Sequence, residues 1–158
     1  MNARFRSAPP KTQRAKQTPF KRHARNVRTL KAALPEIREA DERMQIMLDA
    51  TPLACSLIDK KHTVLYCNAA VKKLFGIADA QEYTSKFWDF SPEHQPDGQN
   101  SRDKALALLK KTFDEGYSHV EWLHIVNNEP VPCEVTLVRV KYKGDDIIAG
   151  YTRDMRDM

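Results

Sequence analysis

The sequence lacks any long unbroken apolar run; the longest, such as 53–58, hold only a few residues. A membrane-spanning helix needs about 20 such residues, so none is expected. The N-terminal stretch has no apolar core of the kind a secretory signal carries, and no such signal is expected; an Arg-rich, acid-free start also fits a transit peptide. Glycine is scarce, at five residues, and none stands in a G-x-G-x-x-G or phosphate-loop pattern. No G-x-S-x-G or H-E-x-x-H segment occurs. The familiar nucleotide-binding, serine-hydrolase and zinc-protease signatures are therefore missing, and 158 residues leave no room for kinase or cyclase catalytic segments. Cysteine is also scarce. Cys55, Cys67 and Cys133 are odd in number, form no C-x-x-C pair and each sit in an apolar stretch. They read as reduced, buried thiols of a cytoplasmic protein, with Cys55 and Cys133 acting as small hydrophobes.

Acid is missing from the first 35 residues, which carry ten basic side chains; the remainder has 16 basic and 21 acidic ones. A tail of charge +10 thus precedes a body of charge −5. The net +5 and the pI near 9.1 describe the tail. This excludes a basic globule built to bind nucleic acid. Only Phe5 and Phe20 interleave the tail's cations, which gives little support for stacking on bases. Residues 1–34, interrupted by Pro9, Pro10 and Pro19, read as a solvated and largely disordered tail with helix toward residues 30–34.

Pro35 suits the first turn of a helix. From there Ile37, Ala40, Met44, Met47 and Leu48 recur at three- and four-residue steps among charged neighbours, which predicts an amphipathic helix over 35–50. The stripe either packs on its own domain or pairs with a second copy. Two apolar runs, 53–58 and 63–67, flank a polar break and predict a hairpin. Asn68 can cap the next helix, whose stripe is Val71, Leu74 and Phe75 and whose stop is Gly76. Residues 77–100 are irregular, with Phe87, Trp88 and Phe90 clustered. Ser101 can cap a second helix with Leu106, Leu109 and Phe113 inside, Lys104, Lys110 and Lys111 outside, and Gly116 at its end. Strands follow over 117–126, 131–142 and 147–152. Two strands, a helical middle and three strands predict an α+β fold: one five-stranded antiparallel sheet with helices on one face.

This order, with these residues, resembles a PAS domain over about 44–155. The carriers are Leu57-Ile58-Asp59, Tyr66-Cys67-Asn68-Ala69-Ala70 with Leu74-Phe75-Gly76, the strand holding Glu121-Trp122, Pro132 to Leu137, and Gly150 to Asp154. The turn Asn127-Asn128-Glu129-Pro130 stands where the family usually has Asp-Gly. The similarity is to PAS modules of bacterial histidine kinases and diguanylate cyclases. It divides the chain into a tail (1–34), a packing or dimerisation helix (35–50), the PAS-like domain (51–155) and an exit (156–158).

The resemblance implies a two-component-type sensor that binds a small molecule or a partner between sheet and helices. Dimerisation would run through Ile37, Met44, Met47 and Leu48, and the signal would pass to an output domain or protein such as a histidine kinase or diguanylate cyclase. Leu57, Cys67, Trp88, Phe90, Trp122, His124, Thr136 and Tyr151 are the candidate pocket residues, with Phe87 beside them. Flavin–cysteine photochemistry is not expected, since Cys67 lies at a strand end and no cysteine lies on the middle helices. Haem is not expected either, because residues 101–116 hold no histidine; His94 lies upstream of them in a loop. No metal site is expected: His119 and His124, five apart on one strand, point to opposite faces. Two rival readings remain. One is a small α+β enzyme using Asp59, His62, His94 and Glu121 as acid and base, although these fall mostly in turns. The other is contact of the tail with nucleic acid or an anionic surface.

Overall fold

The computed structural model describes residues 19–156, with side chains from Leu34 onward. The chain divides into two compact units, 1–41 and 42–158. The first described element is helix α1, Pro19–Ala50. It begins well before Pro35, which lies inside it. The sequence from Phe20 to Leu34 contains neither proline nor glycine, so nothing there stops the helix, and a proline inside one costs a single main-chain hydrogen bond besides its steric strain. Of the expected tail, residues 1–18 lie outside the described residues, and 19–34 belong to α1. Residues 157–158 of the exit also lie outside them.

In the second unit α1 ends at Ala50 and the chain enters β1 (Ala54–Ile58) and β2 (Val64–Cys67), then α2 (Ala69–Phe75). The irregular middle resolves into α3 (Ala80–Lys86) and a 3-10 turn (Phe87–Phe90). Helix α4 (Ser101–Glu115) leads to β3 (Tyr117–Val126), β4 (Glu129–Tyr142) and β5 (Asp145–Asp154). The five strands form one antiparallel sheet in the order β2-β1-β5-β4-β3. The last strand therefore lies in the centre, between β1 and β4, and the helical middle connects the two edge strands.

Both late hairpins turn on two residues. Val126 faces Glu129 across Asn127-Asn128, with φ of +52° and +62°. Positive φ at both central positions is the geometry that matches sheet twist, and asparagine tolerates it. Asn-Asn thus makes the tight turn without Asp-Gly, and β4 begins two residues earlier than the sequence suggests. The same logic closes Lys143-Gly144, φ +50° and +82°, so that β5 begins at Asp145.

Side chains alternate across the sheet. Ser56, Ile58, Val120, Trp122, His124, Val135, Leu137, Ile148, Gly150 and Thr152 share the inner face, as the register requires. One core cluster joins Ile58, Val64 and Cys67 to Val71, Phe75, Ile77 and Tyr83; a second joins Leu109 to Leu137 and Ile148. The inner line of α4 is Leu109 and Thr112, both buried, with Leu106 and Phe113 at its margins. Asn100 caps α4 in place of Ser101, which is buried as the first helical residue: the Asn100 side chain accepts from Asp103 N at 3.1 Å. Lys104 is not fully outside. Its ammonium bonds Asp97 at 2.7 Å and lies 5.7 Å from the Trp122 ring centre.

Asn68 is the joint between the first helix and the sheet. It is completely buried. Its Oδ1 accepts from Cys55 N (2.8 Å) and Val71 N (3.2 Å), and its Nδ2 donates to Leu48 O (2.8 Å) and Leu53 O (2.9 Å). Its own N–H donates to Cys55 O at 3.0 Å. One amide therefore caps α2, pairs with β1 and holds the end of α1. Losing a cap costs about 1 kcal/mol, and each buried partner left unpaired about 1–3 kcal/mol more. Asn68→Ala is expected to lower stability by about 3 kcal/mol or more in urea unfolding. Asn68→Asp, which keeps the acceptor at Oδ1 but sets a second oxygen against the Leu48 and Leu53 carbonyls, should be destabilised at least as much as Asn68→Ala at pH 7.

Candidate functional site

The inner face of the sheet and the helical middle bound a partly open cavity of about 80 Å³. Ser56, Val135, Leu137, Gly150 and Thr152 form its floor, and Val120, Trp122 and His124 one wall. Tyr83, Phe87, Trp88, Phe90 and Ser91 cover it together with Ala105, Leu108 and Leu109 of α4. The aromatic cover is continuous. Phe75 lies 5.3 Å from Tyr83, 4.7 Å from Phe90 and, edge to face, 5.0 Å from the His124 ring, and Phe87 meets Trp88 at 5.2 Å. Such contacts fix ring orientation as well as burying area.

The segment that covers the cavity is fastened along β3 by three polar links. His124 Nδ1 meets Phe90 O at 3.0 Å, so Nδ1 carries the proton and donates. Trp122 Nε1 donates to Ser91 Oγ at 3.0 Å. Gln95, almost fully buried, pairs with the edge strand as a main-chain neighbour would: Leu123 N donates to its Oε1 (2.8 Å), and its Nε2 donates to Leu123 O (3.1 Å) and Ser101 Oγ (2.9 Å). A side-chain amide thus satisfies an otherwise open strand edge. These links alternate along β3, with Trp122 and His124 reaching from the inner face and Leu123 from the backbone between them.

Among the described residues no charged side chain lines the cavity. Arg102 lies 5.1 Å from the Trp88 ring centre and Lys104 near Trp122, and neither is among the lining residues. His124 does line it, and burial pushes its pKa down to about 4, the bond to Phe90 O opposing only in part. The imidazole is therefore neutral at pH 7, with Nε2 as an acceptor.

Of the candidate pocket residues, Trp88, Phe90, Trp122 and His124 are brought together here, along with Phe87. Leu57, Thr136 and Tyr151 are not. They share the outer face of the sheet, where Thr136 faces both His119 and Tyr151 and bonds the His119 ring at 2.9 Å. The reason is parity: strand neighbours alternate, and Val135 and Leu137 already occupy the inner positions beside Thr136. Cys67 is buried in the Val71–Phe75 cluster next to the cavity but does not line it. Ser56, Tyr83, Ser91, Gly150 and Thr152 were not evident from sequence. The same alternation would have marked Ser56 and Thr152 once the β1–β5 register was known. Nothing local marks Ser91 or Gly150.

Cys55, Cys67 and Cys133 are all buried and free, with thiol pKa values raised mainly by burial, that of Cys133 to about 12. None lines the cavity, so the thiol that flavin adduct chemistry requires is not offered there. His119 and His124 lie on opposite faces, and among the described residues no three His, Cys, Asp or Glu side chains gather as a metal site would need. Asp59 and His62 sit in the β1–β2 turn, where Asp59 Oδ1 accepts from Lys61 N and Thr63 N at 2.9 Å; Glu121 is on β3, and His94 bridges Asn100 in the loop before α4. They form no common site. Among the described residues no helix is long and apolar enough to cross a membrane.

A family model for the PAS domain matches residues 52–157. The chain belongs to the PAS domain family. Its solved structural neighbours agree. The PAS domain of nitrogen regulation protein NR(II) from Vibrio parahaemolyticus is 17% identical with a TM-score of 0.56, covering 70% of this chain and 96% of that one. The PAS domain of an HTR-like protein from Haloarcula marismortui is 16% identical with a TM-score of 0.59, covering 79% and 99%. A PAS domain from a two-component sensor histidine kinase is 11% identical with a TM-score of 0.58, covering 74% and 97%. At these identities the likeness is one of fold. No curated protein matches the chain.

The depressed pKa of His124 sets a pH dependence. In the unfolded chain the histidine titrates near 6.5; in the folded protein it does so near 4. Between those values the unfolded state binds more protons, so stability falls as pH drops. From pH 7 to pH 5 the loss attributable to His124 is about 2 kcal/mol. Urea unfolding at the two pH values should show it in the wild type, with a loss smaller by that amount in His124→Phe.

Proposed function

We propose that this PAS domain is a sensory module: a small ligand in the cavity biases the conformation of the domain, two copies associate through α1, and the change passes to an output domain or partner protein. The observation that carries the reading is the cavity itself, partly open between sheet and helices and without a charged lining residue among those described, with a cover fastened in part by a few discrete polar links. A ligand shifts such a system only if it binds two states with different affinity. The cover offers a second state, reached when the Phe90, Ser91 and Gln95 links part together with the aromatic contacts of Phe90.

The route to an output follows from the strand order. Gly150 and Thr152 of the cavity floor lie on the central strand, a few residues before the chain leaves the sheet at Asp154. There Met155 N still bonds Pro132 O, and Asp154 holds Arg156. At the other end, Asn68 couples β1 to α1. A histidine kinase or diguanylate cyclase is the class of output that suits this arrangement, with the PAS domain of a two-component sensor histidine kinase among its structural neighbours. A cytoplasmic, bacterial setting fits the same reading.

Self-association is supported by bare apolar side chains on α1. In the second unit Met44, Ile46 and Met47 are 64%, 68% and 75% exposed, and Leu48 is half-buried. In the first unit Leu34 and Ile37 are also more than half exposed. Burying each of these gains about 1.5–3 kcal/mol, which a second copy would supply. The wild type should sediment as a dimer at micromolar concentration, and Met44→Glu with Leu48→Glu should weaken association at least tenfold. A strictly monomeric wild type would count against this part of the reading. For the ligand, a denatured extract of the purified protein, followed by absorbance and mass spectrometry, should release a small compound in stoichiometric amount. Release of none from protein purified under native conditions would leave association as the module's main role.

A further inference from the structure

The cavity carries information about what it holds. This step rests on the reading of the cavity as the ligand site. Its lining is carbon except for a few groups. Nδ1 of His124 is committed to Phe90 O, and among the described residues no donor reaches Nε2. Every fully enclosed side-chain nitrogen and oxygen among the described residues has a partner, so an atom left unpaired here is one that still faces open space. The neutral imidazole, itself a lining residue of the cavity, therefore keeps an accessible acceptor at Nε2. Ser56 Oγ stands on the floor beside Gly150, where a Cβ would come within 3.1 Å of it and 3.5 Å of Leu137 Cδ2. The absence of a side chain at Gly150 keeps this part of the floor open.

Two exclusions follow. An ionised ligand would be taken from water into a space with no counter-charge, at heavy cost. About 80 Å³ is roughly half the 150 Å³ of an apolar cavity that takes benzene, so a larger ligand would have to extend through the open side or displace the cover. A purely apolar occupant would leave the Nε2 lone pair unpaired, which is the more costly side of a hydrogen-bond exchange.

We propose that the cavity selects a small uncharged compound bearing a hydroxyl or N–H donor, held by that donor on His124 Nε2 with its carbon skeleton against Trp88, Phe90, Leu109 and Leu137. His124 is thus the specificity-determining residue of the site, and the cover's own link, Nδ1 to Phe90 O, fixes the tautomer that makes it an acceptor. Recognition of the ligand and closure of the cover run through the two nitrogens of one ring.

Three probes of nearly the same shape separate the possibilities: 2-propanol, a neutral donor; acetone, neutral without a donor; and acetate, an anion. Each is titrated at pH 7 into the full chain and into His124→Phe, His124→Gln and Gly150→Ala. The indole N–H signals of Trp88 and Trp122 and the main-chain amide at position 150 are followed by NMR. We expect saturable shifts with 2-propanol, about tenfold weaker binding of acetone and no saturable shift with acetate. In His124→Phe the preference for the alcohol disappears; in His124→Gln, whose amide oxygen can accept again, part of it returns. Gly150→Ala weakens 2-propanol and acetone alike. Equal binding of the two neutral probes by the wild type, a preference that survives in His124→Phe, or saturable binding of acetate overturns donor selection while leaving the cavity as a ligand site. Failure of every probe to give a saturable shift, or indifference to Gly150→Ala, overturns the cavity reading itself. Should His124→Phe not give a dispersed spectrum, the ranking of the three probes by the wild type decides.

Discussion

The buried amide of Asn68 is the interaction on which the architecture of the second unit depends. A side chain that caps a helix ordinarily satisfies one or two N–H groups at the surface. Here the same side chain is sealed inside and serves four main-chain groups from the end of α1, β1 and α2. Removing it would do more than shorten α2. It would leave Cys55 N without its side-chain partner and the Leu48 carbonyl without that amide donor, and the Leu53 carbonyl with only the Cys55 thiol at 3.5 Å, where water cannot readily replace it. The last turn of α1 is thereby held against the first strand. Any displacement of β1 must either break these bonds or be carried into the helix, and this is a physical basis for coupling a change in the sheet to a helix that bears exposed apolar side chains.

A second set of polar contacts works in the opposite sense. The links from Phe90, Ser91 and Gln95 to β3 are few, discrete and partly accessible, and they fasten a segment whose other contacts are aromatic. A cover held by many apolar contacts alone would deform gradually. One held by directional bonds would part more abruptly, because a hydrogen bond weakens steeply once its geometry is lost. The Gln95 amide has a further consequence. By pairing with Leu123 it occupies the edge of β3, so the closed cover also removes a strand edge to which another chain could add. Opening the cover at Gln95 would therefore also expose that edge.

The topology was legible in the sequence for identifiable reasons. The β1–β2 hairpin, the Asn68 cap with its Gly76 stop, and the three late strands all carry local signals, and each is found in that order, β4 and β5 starting two residues earlier than expected because their turns are tighter. Position 35 was misleading, because a proline reads as a helix start although the residues before it contain nothing that ends a helix. The site was legible only in part. Trp88, Phe90, Trp122 and His124 could be chosen for their chemistry and proved to be together. Thr136 and Tyr151 were chosen for the same reason and lie on the other face, because facing is decided by parity and register and not by residue type. Gln95 and Ser91 gave no signal at all: their roles come from long-range pairing with β3, across 28 and 31 positions of sequence.

The charge distribution then takes on a definite meaning. Nearly a third of the residues are charged, yet among the described residues none of those charges lines the cavity, and Arg102 and Lys104, near its cover, lie over Trp88 and Trp122. Aromatic rings thus stand between the charged surface and the cavity. The one ionisable group within that titrates near neutrality when free, His124, is kept neutral by that surrounding, and its neutrality leaves a lone pair to offer. Had a lysine or carboxylate lined the floor, the same fold would attract ions and the histidine's protonation would depend on that neighbour. The uncharged lining is therefore a positive determinant: it sets the protonation state of the imidazole among the described lining residues, and with it the hydrogen-bonding role that His124 can play there.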